Sequence, residues 1–324
     1  MKKVFNFNEI KKDLNKVEKF LSDYVNFPHP DLRNSSQHIL QAGGKRIRPA
    51  FVLLSGKFFN LNNTDLVPFA AAVELIHMAT LVHDDIIDKA DTRRGKPTIR
   101  EVWGNKFSLH AGDYLFAQAI KLINPQRNKK IAKVLAKISV EMCQGEIQQL
   151  ISTFDTNQSV KDYFYRIKRK TALLIAASCK IGAIATNAPQ EGINSLYKYG
   201  YYLGMAFQIK DDVLDMQGKC NVIGKPVGSD LAQGIITLPT IFALQTNNTS
   251  AIKLTKLING KFSNGQEDLD EAIAIIKAND GLKKSLLISK RYIIKAKEQL
   301  KFLPECSTKT SLEQIADYIN EREF

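Results

Sequence analysis

Apolar residues along this chain recur every three or four positions, and runs that alternate with period two are nearly absent. Across residues 69–87, Ala70, Val73, Ile76, His77, Thr80, Asp84 and Asp88 fall near one stripe at that spacing. That pattern predicts one long helix. The same reading predicts helices over 131–151, 159–185, 192–214, 268–279 and 283–302. Thr310-Ser311-Leu312-Glu313 has the form of a capping box that opens a last helix. Pro28, Pro30, Pro97, Pro125, Pro189, Pro226, Pro239 and Pro304 fall between these segments, where a residue without an N–H interrupts least. Residues 259–266 form a polar loop, but no segment is long or polar enough to be a linker. The expectation is an all-α fold in a single domain over residues 1–324.

Composition narrows the class. The 324 residues are 44% hydrophobic, which excludes a disordered chain, and 18 Gly with 10 Pro exclude collagen and low-complexity sequence. A formal net charge of +13 points to anionic partners: nucleic acid, an acidic membrane surface or phosphorylated metabolites. Cys143, Cys179, Cys220 and Cys306 show no CxxC or metal-ligand spacing, so they read as reduced thiols without a joint role. Charged residues follow the first eight residues at once, unlike a signal peptide. The most apolar windows, 66–82 and 171–185, fall short of the ~20 clean apolar residues of a spanning helix. A soluble, cytoplasmic protein is expected.

The sharpest feature is a near-repeat. Val82-His83-Asp84-Asp85-Ile86-Ile87-Asp88 resembles Ile209-Lys210-Asp211-Asp212-Val213-Leu214-Asp215. On a helix, the first and last Asp of each cluster are i and i+4, so two carboxylates project from one face. Like charges in apolar flanks are costly unless cations join them. Carboxylates with no Cys or paired His nearby select hard, oxygen-loving ions, above all Mg²⁺. Mg²⁺ takes its remaining ligands from water and phosphate oxygens, so two facing clusters would clamp a diphosphate.

The basic groups agree. In Gly43-Gly44-Lys45-Arg46-Ile47-Arg48-Pro49, two glycines allow close approach of an anion and the arginines offer forked donors. Asp91-Thr92-Arg93-Arg94-Gly95-Lys96-Pro97 places two arginines just after the first cluster. Lys170-Thr171 and Gly224-Lys225-Pro226 add phosphate-type donors, whereas Lys168 and Arg169 read as solvated surface charge.

Taken in order, these motifs, with Phe207-Gln208-Ile209-Lys210-Asp211-Asp212, resemble the trans-isoprenyl (polyprenyl) diphosphate synthases. The resemblance runs from about residue 43 to 240. It implies a helical bundle around a deep central cavity, usually dimeric. It implies that Asp84, Asp88 and Asp211 hold Mg²⁺ on an allylic diphosphate, supported by Asp85, Asp212 and Asp215. Arg93, Lys170, Thr171, Gln208 and Lys225 would contact that diphosphate. Lys45, Arg48, His77 and Arg94 would bind isopentenyl diphosphate. Asp84, Asp88, Lys170, Asp211 and Lys225 would carry the catalysis. One position departs from the family: Ile235 stands where a lysine is usual.

Ile76, Ala79 and Thr80 lie eight, five and four residues before Asp84. Each helical turn advances ~5.4 Å, about one isoprene unit. Small Ala79 and Thr80 leave the path open, which within the family reads as a long-chain enzyme. Some such enzymes pair the catalytic chain with a non-catalytic subunit, so a homodimer and a heteromer both stand. The alternatives are a shorter-chain farnesyl or geranylgeranyl diphosphate synthase, a squalene-synthase-like or terpene-cyclase-like enzyme, a non-catalytic subunit, and a basic nucleic-acid-binding protein. The cyclase-like enzymes generally lack the Gly-Gly-Lys-Arg-x-Arg-Pro segment, and a non-catalytic subunit should have lost its aspartates. The thin spread of lysine and the acidic clusters argue against nucleic acid. A transient contact with an anionic membrane is compatible with the remaining positive charge.

Overall fold

A computed structural model describes residues 8–59, 65–123, 128–217, 227–246 and 248–322. Pro125, Cys220, Gly224, Lys225 and Pro226 lie outside them. After a 3₁₀ turn at Asn8–Ile10, the described residues form α1 (Lys11–Tyr24), α2 (Pro30–Gln41), α3 (Ile47–Lys57) and α4 (Val67–Ile87). A two-residue hairpin follows, β1 (Thr92–Arg93) with β2 (Lys96–Pro97). Then come α5 (Ile99–Leu122), α6 (Lys129–Ile151), α7 (Val160–Ile167), a π turn (Lys168–Ala172), α8 (Leu173–Ala185) and α9 (Gln190–Gln217). The chain continues through α10 (Ser229–Ala232), α11 (Leu238–Leu244), α12 (Thr249–Asn259), α13 (Gln266–Ala278), α14 (Gly281–Leu300) and α15 (Ser307–Glu321). The fold is all-α, as the periodicity requires.

The chain divides into two compact units, each built from separate stretches. The first holds residues 1–137, 177–197 and 302–312; the second holds 138–176, 198–301 and 313–324. The first unit is organised by α4. Ala71, Val73, Leu75, Ile76, Met78 and Val82 look in different directions around this helix, and all are buried. A helix apolar all round must be covered on every side, and α1, α3 and α5 pack on it. Gly182 lets α8 close on α3, because a Cβ there would sit 2.1 Å from the Val52 carbonyl oxygen. The core of the second unit gathers Tyr163, Met205, Ile209, Val213, Leu238 and Ile276.

Two expectations change. Residues 159–185 do not make one α-helix. Ser159 does open a helix with a reciprocal capping box on Asp162, but a π turn interrupts it at Lys168–Ala172. Residues 171–179 are all buried, so the stretch after the turn has no polar face against which the extra residue would show. The last helix begins at Ser307, which puts Thr310 inside it. Its first turn is tied instead by the Glu9 carboxylate, which accepts from the hydroxyls of Ser307 (3.0 Å), Thr308 (2.7 Å) and Ser311 (3.0 Å).

Candidate active site

In the first unit, the glycine turn and the hairpin bring cations to α4. Gly43 has φ +80°, and a Cβ on Gly44 would meet an Arg94 guanidinium nitrogen at 2.8 Å. A side chain at Gly44 would push that guanidinium aside. Arg94 and Gly95 form the hairpin loop with φ of 53° and 76°, the pair of positive values that a tight two-residue loop demands. A non-glycine residue held there is strained, and such strain concentrates at ligand sites.

Arg46 is structural. It is buried, pairs with Glu18, and donates to Glu74 at 2.9 Å and to the Leu40 carbonyl at 3.1 Å. Arg48 is different. Its Nε is buried without a hydrogen-bond partner, and burial lowers its pKa to about 10 despite Glu74 and Asp84. His77 lies in the same surroundings. Burial, then the charges of Arg48, Arg94, Arg93 and Arg46, hold its pKa well below the usual range. At neutral pH it is an uncharged imidazole among guanidinium groups. Buried donors are normally paired, so this cluster is incomplete without an anion. Lys45 lies exposed on the turn before α3.

The first Asp cluster closes α4, with Asp88 as its C-cap. The C-terminal end of a helix carries partial negative charge, so three carboxylates there oppose the dipole. Arg93 offsets one of them, its Nε donating to Asp85 at 2.7 Å. Asp85 is buried, and its carboxyl is raised above the ordinary range by burial, against the pull of Arg93. Asp84 and Asp88 are half-buried.

In the second unit, the π turn is set between two glycines. A Cβ on Gly145 of α6 would lie 2.6 Å from the Arg169 Cβ, and one on Gly204 of α9 would lie 2.6 Å from the Ala172 Cα. This seating starts a continuous network. The Thr171 hydroxyl donates to the Gln208 amide oxygen (2.6 Å), and the Gln208 amide nitrogen donates to Asp212 (2.8 Å). The buried Tyr163 hydroxyl donates to the other Asp212 oxygen (2.6 Å). Lys170 reaches Gln149 at 3.1 Å and Glu146 at 3.5 Å. Arg169 is not solvated surface charge. Its side chain is largely covered, ion-pairs with Glu141 and lies 3.4 Å from the centre of the Tyr165 ring.

Burial first, and the Asp230 charge next, push Asp212 up to about 7 and Asp215 to about 6. Asp215 accepts from the Ser229 hydroxyl at 2.9 Å. Arg322 of α15's end pairs with Asp211 and stacks its guanidinium 4.8 Å from the Phe207 ring centre. Ile235 is half-buried, its N–H donating to the Asp230 carbonyl at 2.9 Å. The adjoining Gly234 packs on Phe154, which leaves no space for a Cβ.

Among the described residues, no three carboxylate, imidazole or thiol groups converge as a ready metal cage. The donor chemistry nevertheless fits Mg²⁺, which binds one or two carboxylates and completes its shell with water and phosphate. Asp84 and Asp88 of the first unit are half-buried carboxylates of this kind, and so is Asp211 of the second. Asp85 and Asp212 are held in sockets by Arg93, Tyr163 and Gln208. Along α4, Ile76 and Ala79 are buried, and half-buried Thr80 donates to the His77 carbonyl at 2.8 Å. The sequence reading missed Glu74, Tyr163, Asp230 and Arg322. Glu74 stands one turn before His77 on the same stripe and could have been found; the others act across 18, 49 or 111 residues with no local signal.

The chain is similar to known proteins over nearly its full length. The family model described as Polyprenyl synthetase matches residues 29–276. Heptaprenyl diphosphate synthase component 2 of Bacillus subtilis (strain 168) is 43% identical over 312 residues, covering 96% of this chain and 88% of that protein. The heptaprenyl diphosphate synthase structure from Staphylococcus aureus superposes with a TM-score of 0.92 at 35% identity, over 99% of this chain and 100% of that one. A polyprenyl synthase from Caulobacter crescentus CB15, complexed with calcium and isoprenyl diphosphate, gives 0.93 at 32% identity, over 98% and 97%. The chain belongs to the polyprenyl synthetase family.

Proposed function

We propose that this prenyltransferase joins isopentenyl diphosphate to an allylic diphosphate and repeats the step to a long-chain all-trans polyprenyl diphosphate. One observation carries the reading: the buried, unpartnered Arg48 Nε among the guanidinium groups around His77. That cluster of cations suits a polyanion supplied from outside the chain. Arg48, Arg94 and Lys45 would hold the isopentenyl diphosphate, with neutral His77 as a hydrogen-bonding partner.

Arg93, Lys170, Gln208 and Lys225 would hold the allylic diphosphate, with Thr171 orienting Gln208. Asp84, Asp88 and Asp211 would bind Mg²⁺, which supplies Lewis-acid neutralisation of that diphosphate. As the allylic C–O bond breaks, the cationic side chains stabilise the charge gathering on the leaving oxygen. The isopentenyl double bond then forms the new C–C bond, and a proton leaves to the released diphosphate. No side chain acts as a nucleophile. Ile235 removes one cation that the family usually offers, which weakens diphosphate binding without removing the pocket.

Small Ala79 and Thr80 support a long product, and similarity to a synthase named heptaprenyl agrees. The words "component 2" in that name support a partner subunit, with a homodimer as the other arrangement. Among the described residues, no helix is long and apolar enough to cross a membrane, which is compatible with a cytoplasmic enzyme. We propose that residues 1–324 act as a single synthase domain. The test is incubation with labelled isopentenyl diphosphate, farnesyl diphosphate and Mg²⁺, followed by product sizing. Products longer than geranylgeranyl diphosphate are expected, and Ala79→Phe should shorten them. No elongation, with or without a candidate partner subunit, refutes the reading.

A further inference from the structure

Helix α14 belongs wholly to the second unit, and its two faces differ sharply. The inner face is small and apolar. A Cβ on Gly281 would lie 2.6 Å from the Pro239 carbonyl oxygen, and buried Ser289 donates to the Ala206 carbonyl at 3.0 Å. The outer face carries Lys283, Lys284, Lys290, Arg291, Lys295 and Lys301, all exposed. At ~100° per residue, Leu287 and Ile294 form a stripe down the middle of this face, with cations on both sides. Those two residues are 52% and 49% exposed, although both are large and aliphatic. Glu298, exposed one turn after Ile294 at the end of the stripe, is the one acidic residue in the helix.

Few of these cations are engaged by the fold: Lys284 lies 6.0 Å from the Phe242 ring centre, and Lys295 5.9 Å from that of Tyr202. Among the described residues, Lys283, Lys284, Lys290 and Arg291 make no ion pair with a carboxylate, whereas Lys297, turned aside, pairs with Asp317. Lys283 and Lys290 also border a groove of about 240 Å³ with Lys210 and Asn320. Lys210 directly precedes Asp211, so the basic face begins beside the second Asp cluster.

We infer that the outer face of α14 is a docking surface for an anionic lipid bilayer. A helix with an aliphatic stripe between two rows of cations lies in a membrane interface, its apolar residues among the acyl chains and its cations on the headgroups. Nucleic acid would match the charge but gives Leu287 and Ile294 nothing to bury against, and the exposed stripe offers no aromatic ring for a base. A lipid product gives the surface a use, and in that respect alone the inference rests on the proposed activity.

The test uses the full chain in EDTA without substrate, floated with phosphatidylcholine vesicles with or without phosphatidylglycerol. Binding to the anionic vesicles alone, weakened by salt, is expected. Each cation neutralised should cost about fivefold in partitioning, so Lys290→Glu with Arg291→Glu should fall to background. Leu287→Ser with Ile294→Ser should weaken binding while keeping its salt dependence. Absence of binding to anionic vesicles, or equal binding by the charge-reversed protein, overturns the inference. So does retention of a short DNA duplex in place of vesicles. Elongation is assayed separately in detergent. If it fails while vesicle binding persists, the activity is refuted and the docking surface stands.

Discussion

Residues 84–88 and 211–215 share one spacing, but the chain surrounds them differently. The first cluster ends α4 and is met by guanidinium charge, Arg93 on Asp85 and Arg94 close by. In the second, the inner Asp212 accepts hydrogen bonds from neutral donors, Tyr163 and Gln208, while Asp230 adds negative charge and the buried Arg166 only partly opposes it. The cation in direct contact, Arg322, sits on the outer Asp211. Equal sequence therefore does not mean equal electrostatics. In the first cluster, Arg93 offsets one carboxylate of three, and burial still raises Asp85. The second holds a carboxyl that favours its protonated form until a cation arrives.

The largest effect should separate outer from inner carboxylates. Asp84→Ala and Asp211→Ala should each lower elongation by about a hundredfold or more, since each removes charge stabilisation of the leaving group. Asp85→Asn and Asp212→Asn should cost far less in turnover. Equal losses at inner and outer positions would erase the distinction. Next comes the seating of the π turn. Gly204→Ala forces a methyl against the Ala172 backbone, and overpacking of this kind costs about 1–3 kcal/mol. Thermal unfolding should drop by several degrees, with the Thr171–Gln208 hydrogen bond lost.

A smaller effect should appear with pH. Asp212 and Asp215 titrate higher in the folded chain than unfolded, so their stabilising contribution is complete below about pH 4 and fades as pH rises through about 6 and 7. In EDTA, the wild-type melting temperature should fall between pH 5 and 8, and Asp212→Asn should flatten that fall. An unchanged slope would mean that Asp212 ionises normally. Smallest of all, Arg322→Ala should tighten Mg²⁺ binding about two- to fivefold by calorimetry, because the cation no longer competes for Asp211. Weaker binding would make Arg322 a supporter of the metal rather than its rival.

Much of this was legible in the chain. The apolar period gave α4 to its last residue at Ile87 and gave α6, α9, α13 and α14 to within a few residues. The DDxxD repeat and the glycine–arginine segments identified the candidate residues, because charge in an apolar stripe stands out locally. What stayed hidden is long-range or nearly silent in period. Tyr163 meets Asp212 across 49 residues and Arg322 meets Asp211 across 111, and no spacing rule encodes either. The π turn leads into a stretch buried on every side, so the pattern hides it while it changes where Lys170 and Thr171 point. Arg46 and Arg48 are two residues apart in one motif, yet only the fold shows the first to be paired and the Nε of the second to be buried without a partner.

The central claim is that the first unit builds a diphosphate pocket from its own cations, independent of metal. Calorimetric titration of isopentenyl diphosphate in EDTA tests it most directly, with wild type and Arg48→Gln compared. Wild type should bind without Mg²⁺, and the variant should lose about tenfold or more, as befits a charged hydrogen bond removed. Binding that requires Mg²⁺, or that Arg48→Gln leaves unchanged, would contradict it.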